Sequence, residues 1–84
     1  AVDLVVSGHT HHAYVCRLPK RSGQPVTVTS AGSAGRLLTR IDLTLDRQSR
    51  DVVAADARNL VVERDPSRTP ILPDASTATL LAAY

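Results

Sequence analysis

Residues 37–46 read Leu-Leu-Thr-Arg-Ile-Asp-Leu-Thr-Leu-Asp, and their period of two leaves the backbone little choice. Leu37, Ile41, Leu43 and Leu45 fall on one face of an extended chain, and Arg40, Asp42, Thr44 and Asp46 on the other. A helix would scatter both sets around its circumference, whereas a half-buried strand sorts them. Residues 26–30, Val-Thr-Val-Thr-Ser, alternate in the same way, and residues 51–63 do so more weakly. Residues 2–6, Val-Asp-Leu-Val-Val, form a short apolar, β-branched run that stops at Ser7-Gly8, which marks a buried strand running into a loop. Residues 13–18 fit either a further short strand or an irregular return.

Breakers set the connections. Pro19, Gly23 and Pro25 make residues 19–25 a turn, and residues 46–51 make another. Gly32 and Gly35 permit a tight reversal in Ala-Gly-Ser-Ala-Gly, residues 31–35, which predicts an antiparallel hairpin joining 26–30 to 37–46. Residues 64–74 hold three prolines and little periodicity, so they read as an extended linker. Asp74 then offers an N-cap to a helix through 75–84, with Leu80 and Leu81 as its apolar contacts. The fold class is mainly antiparallel β with a C-terminal helix.

Such a chain has little from which to build a core. It has 84 residues, no Phe, Trp or Met, and only Tyr14 and Tyr84 as aromatics. One small domain is the most it can form, stabilised by Val, Leu, Ile and Ala. Cys16 is the only cysteine, so no internal disulfide helps; it reads as a small buried hydrophobe rather than a reactive thiol. The chain opens within a strand and closes within a helix that lacks a C-cap, the expectation for a piece of a longer protein. No apolar run is long enough to span a bilayer. Between Asp3 and Asp42 every charge is positive (Arg17, Lys20, Arg21, Arg36, Arg40), which favours an anionic substrate near the histidines or a merely solvated surface. A nucleic-acid polymer is a poor match, because no aromatic residues are interleaved with the basic ones.

The chemistry lies in Gly8-His9-Thr10-His11-His12, directly after the first strand. In an extended loop, His9 and His11 project to the same side while Thr10 and His12 point elsewhere. Imidazole is a common ligand for zinc, manganese and iron. Two imidazoles alone make a weak site, since a catalytic metal normally takes at least three protein ligands. On spacing alone, a solvated or hydrogen-bonded histidine pair remains open beside the metal site. The solvated pair is the commoner outcome for such spacing, and placement at the carboxyl end of a strand behind a glycine raises the metal reading somewhat while leaving both open.

Val-Asp-Leu-Val-Val-Ser-Gly-His-Thr-His-His resembles the last motif block of the calcineurin-like metallophosphoesterases, Gly-His-x-His, most closely in their 5'-nucleotidase branch. Residues 28–46 are similar to the hairpin that follows in that branch, and residues 73–84 to the start of its interdomain helix. The resemblance implies a fragment of an α/β/β/α sandwich, with 1–65 the C-terminal part of the metal domain and 66–84 the linker and helix start. It places His9 on one divalent ion, zinc or manganese, and His11 on its neighbour. Asp3 is then structural, and His12 lies at the rim, exposed or touching substrate. The remaining ligands of the family, borne on Asp-x-His, Gly-Asp-x-x-Asp and Gly-Asn-His blocks and a further histidine, have no counterpart here; the only asparagine, Asn59, is far from any histidine in sequence. The implied parent is a phosphoric ester hydrolase acting on nucleoside 5'-monophosphates, with this chain inactive by itself. Relatives in the branch cleave 2',3'-cyclic nucleotides or nucleotide sugars, and many are periplasmic, secreted or on the cell surface. The rival expectation is a non-catalytic β module whose histidines hold a structural or adventitious ion, or none. A chain of this kind is also expected to pair with a second copy through open strand edges.

Overall fold

The computed structural model describes residues 2–21, 23–65, 67–68 and 71–84. It is mostly β, in two sheets with one short C-terminal helix: Leu4–Val6 (β1), Ala13–Leu18 (β2), Val26–Ala31 (β3), Leu37–Leu45 (β4), Val52–Val61 (β5) and Ala75–Ala82 (α1). Of the turn expected over 19–25 and the linker expected over 64–74, Ser22, Pro66, Thr69 and Pro70 lie outside the described residues.

The first sheet has the order β1-β3-β2, with β1 parallel and β2 antiparallel to the central β3. The second is the antiparallel pair β4-β5. The expected hairpin between 26–30 and 37–46 therefore does not form. Both edges of β3 are already occupied, by β1 and β2, so β4 has no ladder to join and pairs with β5 instead. Residues 32–36 carry the chain from one sheet to the other. Gly32, Ala34 and Gly35 make that change of direction in the left-handed region, at φ 74°, 61° and 62°. The period of two in β4 holds only over its first half. Leu37 and Ile41 are half-buried while Arg40 and Asp42 are exposed, but Leu43 and Leu45, expected on the same buried face, are exposed because nothing among the described residues covers that end of the strand.

The described parts of the two sheets meet without an apolar core. Among the described residues no hydrophobic side chain is fully buried, and the side chains that are include Thr29 and Ser30. The Arg17 guanidinium donates to the Ala55 carbonyl at 3.1 Å, and the Asn59 amide donates to the Ser30 carbonyl at 2.9 Å. Cross-strand pairing of Cys16 with Val28 and Leu18 with Val26, together with Val5 opposite Val28, puts these five on the face away from Arg17 and Thr27. That face is bare: Leu18 is 52% exposed, and Cys16 is exposed where burial was expected. Nothing among the described residues packs over it.

The helix begins as its sequence predicts. The Asp74 carboxylate accepts from the Thr77 N–H at 2.8 Å. The Ser76 hydroxyl and then that N–H draw the Asp74 carboxyl down to about 2 from an ordinary 3.8. Leu80 and Leu81, expected to make the helix's contacts, are exposed instead, because no residue of α1 is buried against another element. The whole is correspondingly open. Its radius of gyration is 17.3 Å, where a compact chain of this length has about 12 Å. Its accessible surface is 7167 Å², against about 4,900 Å² for a compact protein of this mass.

Candidate metal-binding loop

β1 and β2 flank β3, so the chain leaving β1 must arch over the end of β3 to enter β2. Adjacent strands are about 4.8 Å apart, and the arch spans two such steps. Residues 7–12 make it, and the histidines are on it. Because β3 runs parallel to β1, its carboxyl end (Ser30, Ala31 and Gly32) lies directly beneath.

Both feet of the arch are pinned. At its start the Ser7 N–H and hydroxyl both donate to the Thr29 carbonyl, at 2.8 and 3.0 Å, and Ser7 Oγ also bonds the Tyr14 hydroxyl. At its end the buried Ser30 hydroxyl donates to the His12 carbonyl at 2.7 Å. Gly32 passes closely under the crown. A Cβ there would come within 3.5 Å of the His11 carbonyl oxygen.

Between its feet the arch is strained. His9 and His11 both have positive φ, 69° and 62°. The Thr10 N–H donates back to the Gly8 carbonyl at 2.8 Å, closing a three-residue turn with His9 at its centre. A left-handed conformation costs an L-residue roughly 1–2 kcal/mol, and such residues cluster at functional sites, where the surrounding structure holds them. The arch is thus not extended, so alternation does not decide where His9 and His11 point. What they share is a left-handed backbone and exposure to solvent, as His12 is also exposed.

The basic residues divide. The Lys20 ammonium pairs with Asp3 at 2.9 Å, before β1 and therefore at the end of the sheet away from the arch. Asp3 is thereby engaged by a side-chain partner rather than by a neighbouring backbone group. Arg17 reaches into the second sheet and Arg40 pairs with Asp42 along its own strand. Arg36 is different: it lines a recess with His11, Gly32, Ser33 and Val61. The positive charge near the histidines is thus the residue that follows Gly35. Sequence reasoning missed Ser7, Ser30 and Asn59; the only hint was Ser30, which ends the Val-Thr alternation with a small hydroxyl.

Imidazoles on an exposed, strained arch suit a borderline divalent cation, and the donor chemistry of His9 and His11 fits part of a coordination shell. Among the described residues no group of three or more His, Cys, Asp or Glu side chains converges, so these two would need further ligands. No helix among them is long and apolar enough to cross a membrane. Comparison with protein-family models, with curated proteins and with solved structures finds no match to this chain.

Proposed function

We propose that this chain is part of a metal-dependent phosphoesterase of the calcineurin-like, 5'-nucleotidase type, and that it supplies His9 and His11 to a two-metal site. The observation that carries the proposal is the arch itself: a Gly-His-x-His pattern at the carboxyl end of a strand, held in left-handed conformations by bonds at both feet. Single non-glycine residues at positive φ also occur in the turns at Ala34 and Arg50. Among the described residues, only here do two fall within one six-residue connection that is hydrogen-bonded at both ends, the kind of backbone outlier that motivates a functional reading. The metal pair, when bound, polarises a phosphoryl group and lowers the pKa of water. His9 and His11 would hold one ion each, and Arg36, beside His11, would attract the anionic phosphate. His12 stands at the rim. The substrate is a nucleoside 5'-monophosphate, with 2',3'-cyclic nucleotides or nucleotide sugars as the alternatives within the class.

Membership of an α/β/β/α sandwich is part of the same proposal. It is supported by the parallel β1-β3 pair, which makes the first sheet mixed, as sheets of α/β proteins often are. It is further supported by the bare apolar face of Val5, Cys16, Leu18, Val26 and Val28 and by the excess surface. In this account the missing ligands and the covering helices belong to sequence outside this chain. The absence of a third converging ligand among the described residues favours one other reading, a β module with no catalytic role.

Phosphate release decides between them. The full-length protein encoding this chain is expected to hydrolyse 5'-AMP, to lose that activity to a chelator and to regain it with manganese or zinc. Inactivity on 5'-AMP, a cyclic nucleotide and a nucleotide sugar, with metal present, would leave the non-catalytic module as the better account.

A further inference from the structure

Asn59 lies 29 residues from Ser30 in sequence and in the other sheet, yet it is hydrogen-bonded into the foot of the histidine arch. Its partner across the β4-β5 ladder is Thr39, whose hydroxyl donates to the Asn59 side-chain oxygen at 2.7 Å. With its oxygen so engaged, the Asn59 amide is oriented to donate to the Ser30 carbonyl at 2.9 Å. The hydroxyl of the same Ser30, a side chain only 1% exposed, donates to the His12 carbonyl at 2.7 Å. Thr39, Asn59, Ser30 and His12 thus form one continuous relay from the second sheet to the arch. Each bond has good length, and the side-chain path is a single file that runs beside the ladder pairing Ser30 with Tyr14, so removing any donor interrupts it.

We infer that Ser30 and Asn59 are positioning residues for the histidine arch, with Thr39 fixing the orientation of the Asn59 amide. Among the described residues the sheets share no apolar core that would hold the second against the first, so directed bonds carry the register between them, Arg17 to Ala55 at one place and Asn59 to Ser30 beside the arch. Ser30 ties down the last residue of the arch, and Asn59 ties down the peptide of Ser30. Without them His11 and His12 would keep their sequence and lose their anchor, and left-handed φ at His11 would no longer be enforced. This role rests on the proposal that His9 and His11 hold metal, but the order of the arch can be read without any metal.

The test is hydrogen–deuterium exchange by mass spectrometry on the full-length protein, following peptides that span residues 7–13, alongside zinc affinity by chelator competition. Asn59→Asp is the sharpest variant, since it keeps the acceptor for Thr39 and removes the donor to Ser30. Ser30→Ala removes the last bond, and Ser30→Thr restores a hydroxyl. Loss of one well-made bond of about 1.4 kcal/mol corresponds to about tenfold. Both Asn59→Asp and Ser30→Ala are expected to speed exchange in the arch by about tenfold, weaken zinc by a similar factor and leave exchange in β4 and β5 unchanged, with Ser30→Thr recovering both. Arch exchange and zinc affinity unmoved in Asn59→Asp and Ser30→Ala, while His9→Ala and His11→Ala abolish zinc binding, would overturn the relay and leave the metal site standing. Faster arch exchange in a protein that binds no zinc would uphold the relay and remove the metal.

Discussion

Thr29 and Ser30 are neighbours on β3 and both are essentially inaccessible, at 0% and 1% exposure, yet their hydroxyls are not equally used. Thr29 Oγ1 donates to the Val5 carbonyl at 3.4 Å, well beyond the normal O–H···O range, whereas Ser30 Oγ reaches the His12 carbonyl at 2.7 Å. Thr29→Val replaces a buried, poorly bonded hydroxyl by a methyl of nearly the same size. The lost bond is weak, and the desolvation cost of burying the hydroxyl, about 1–3 kcal/mol when uncompensated, is largely relieved. Val is also at least as good a strand residue as Thr. The variant should therefore be more stable than the parent by about 1 kcal/mol. Ser30→Ala removes a bond of good geometry and should cost about 0.5–1.5 kcal/mol, its lower end reflecting that the freed His12 carbonyl sits on an exposed arch and can bond water. Urea unfolding of the two variants, followed by far-UV circular dichroism with the slope held common, gives both values. Opposite signs are expected. Destabilisation of the same size at both positions would refute the inference from hydrogen-bond length to energy.

Three further outcomes follow from the same structure. Gly32→Ala should cost about 1–2 kcal/mol, all of it from its left-handed backbone, because the nearest atoms to the new Cβ, at 3.5 and 3.6 Å, are ordinary contacts; a larger loss, or displaced chemical shifts at His11, would mean the arch cannot give. The Asp74 carboxyl is drawn down to about 2 in the folded chain from an ordinary 3.8. The unfolded chain thus binds the proton first, and the cap's stabilisation is complete above pH about 4 and lost as pH falls toward 2; an Asp74 carboxyl shift titrating near its ordinary value would contradict this. Cys16 should react rapidly with a thiol reagent in the isolated chain and much more slowly in the full-length protein, where the proposed helices cover its face; equally fast reaction in both would mean that this face is not covered.

What could be read from the residues alone was local. The strand at 37–45 and the cap at Asp74 depend on near neighbours, and both appear as expected, although the alternation in burial lapses at Leu43 and Leu45. The pairing of β4 depends on which edges of β3 are free, and no local pattern in residues 31–35 carries that information. Burial of Cys16, Leu80 and Leu81 was inferred from their apolar character, but burial requires a covering surface, and none among the described residues provides one. The histidines were found by type and spacing. Their left-handed backbone was hidden, since only glycine advertises positive φ in a sequence, and the relay through Asn59 joins residues too far apart for spacing to suggest.

Metal content of the full-length protein, measured by mass spectrometry in the wild type and in His9→Ala, His11→Ala and His12→Ala, tests the central claim most directly. Roughly two divalent ions per chain are expected in the wild type and in His12→Ala, falling toward one in each of the other two variants. Metal content that is unchanged by His9→Ala and His11→Ala, or is lost equally at all three positions, would contradict the assignment of one ion to each of these two histidines.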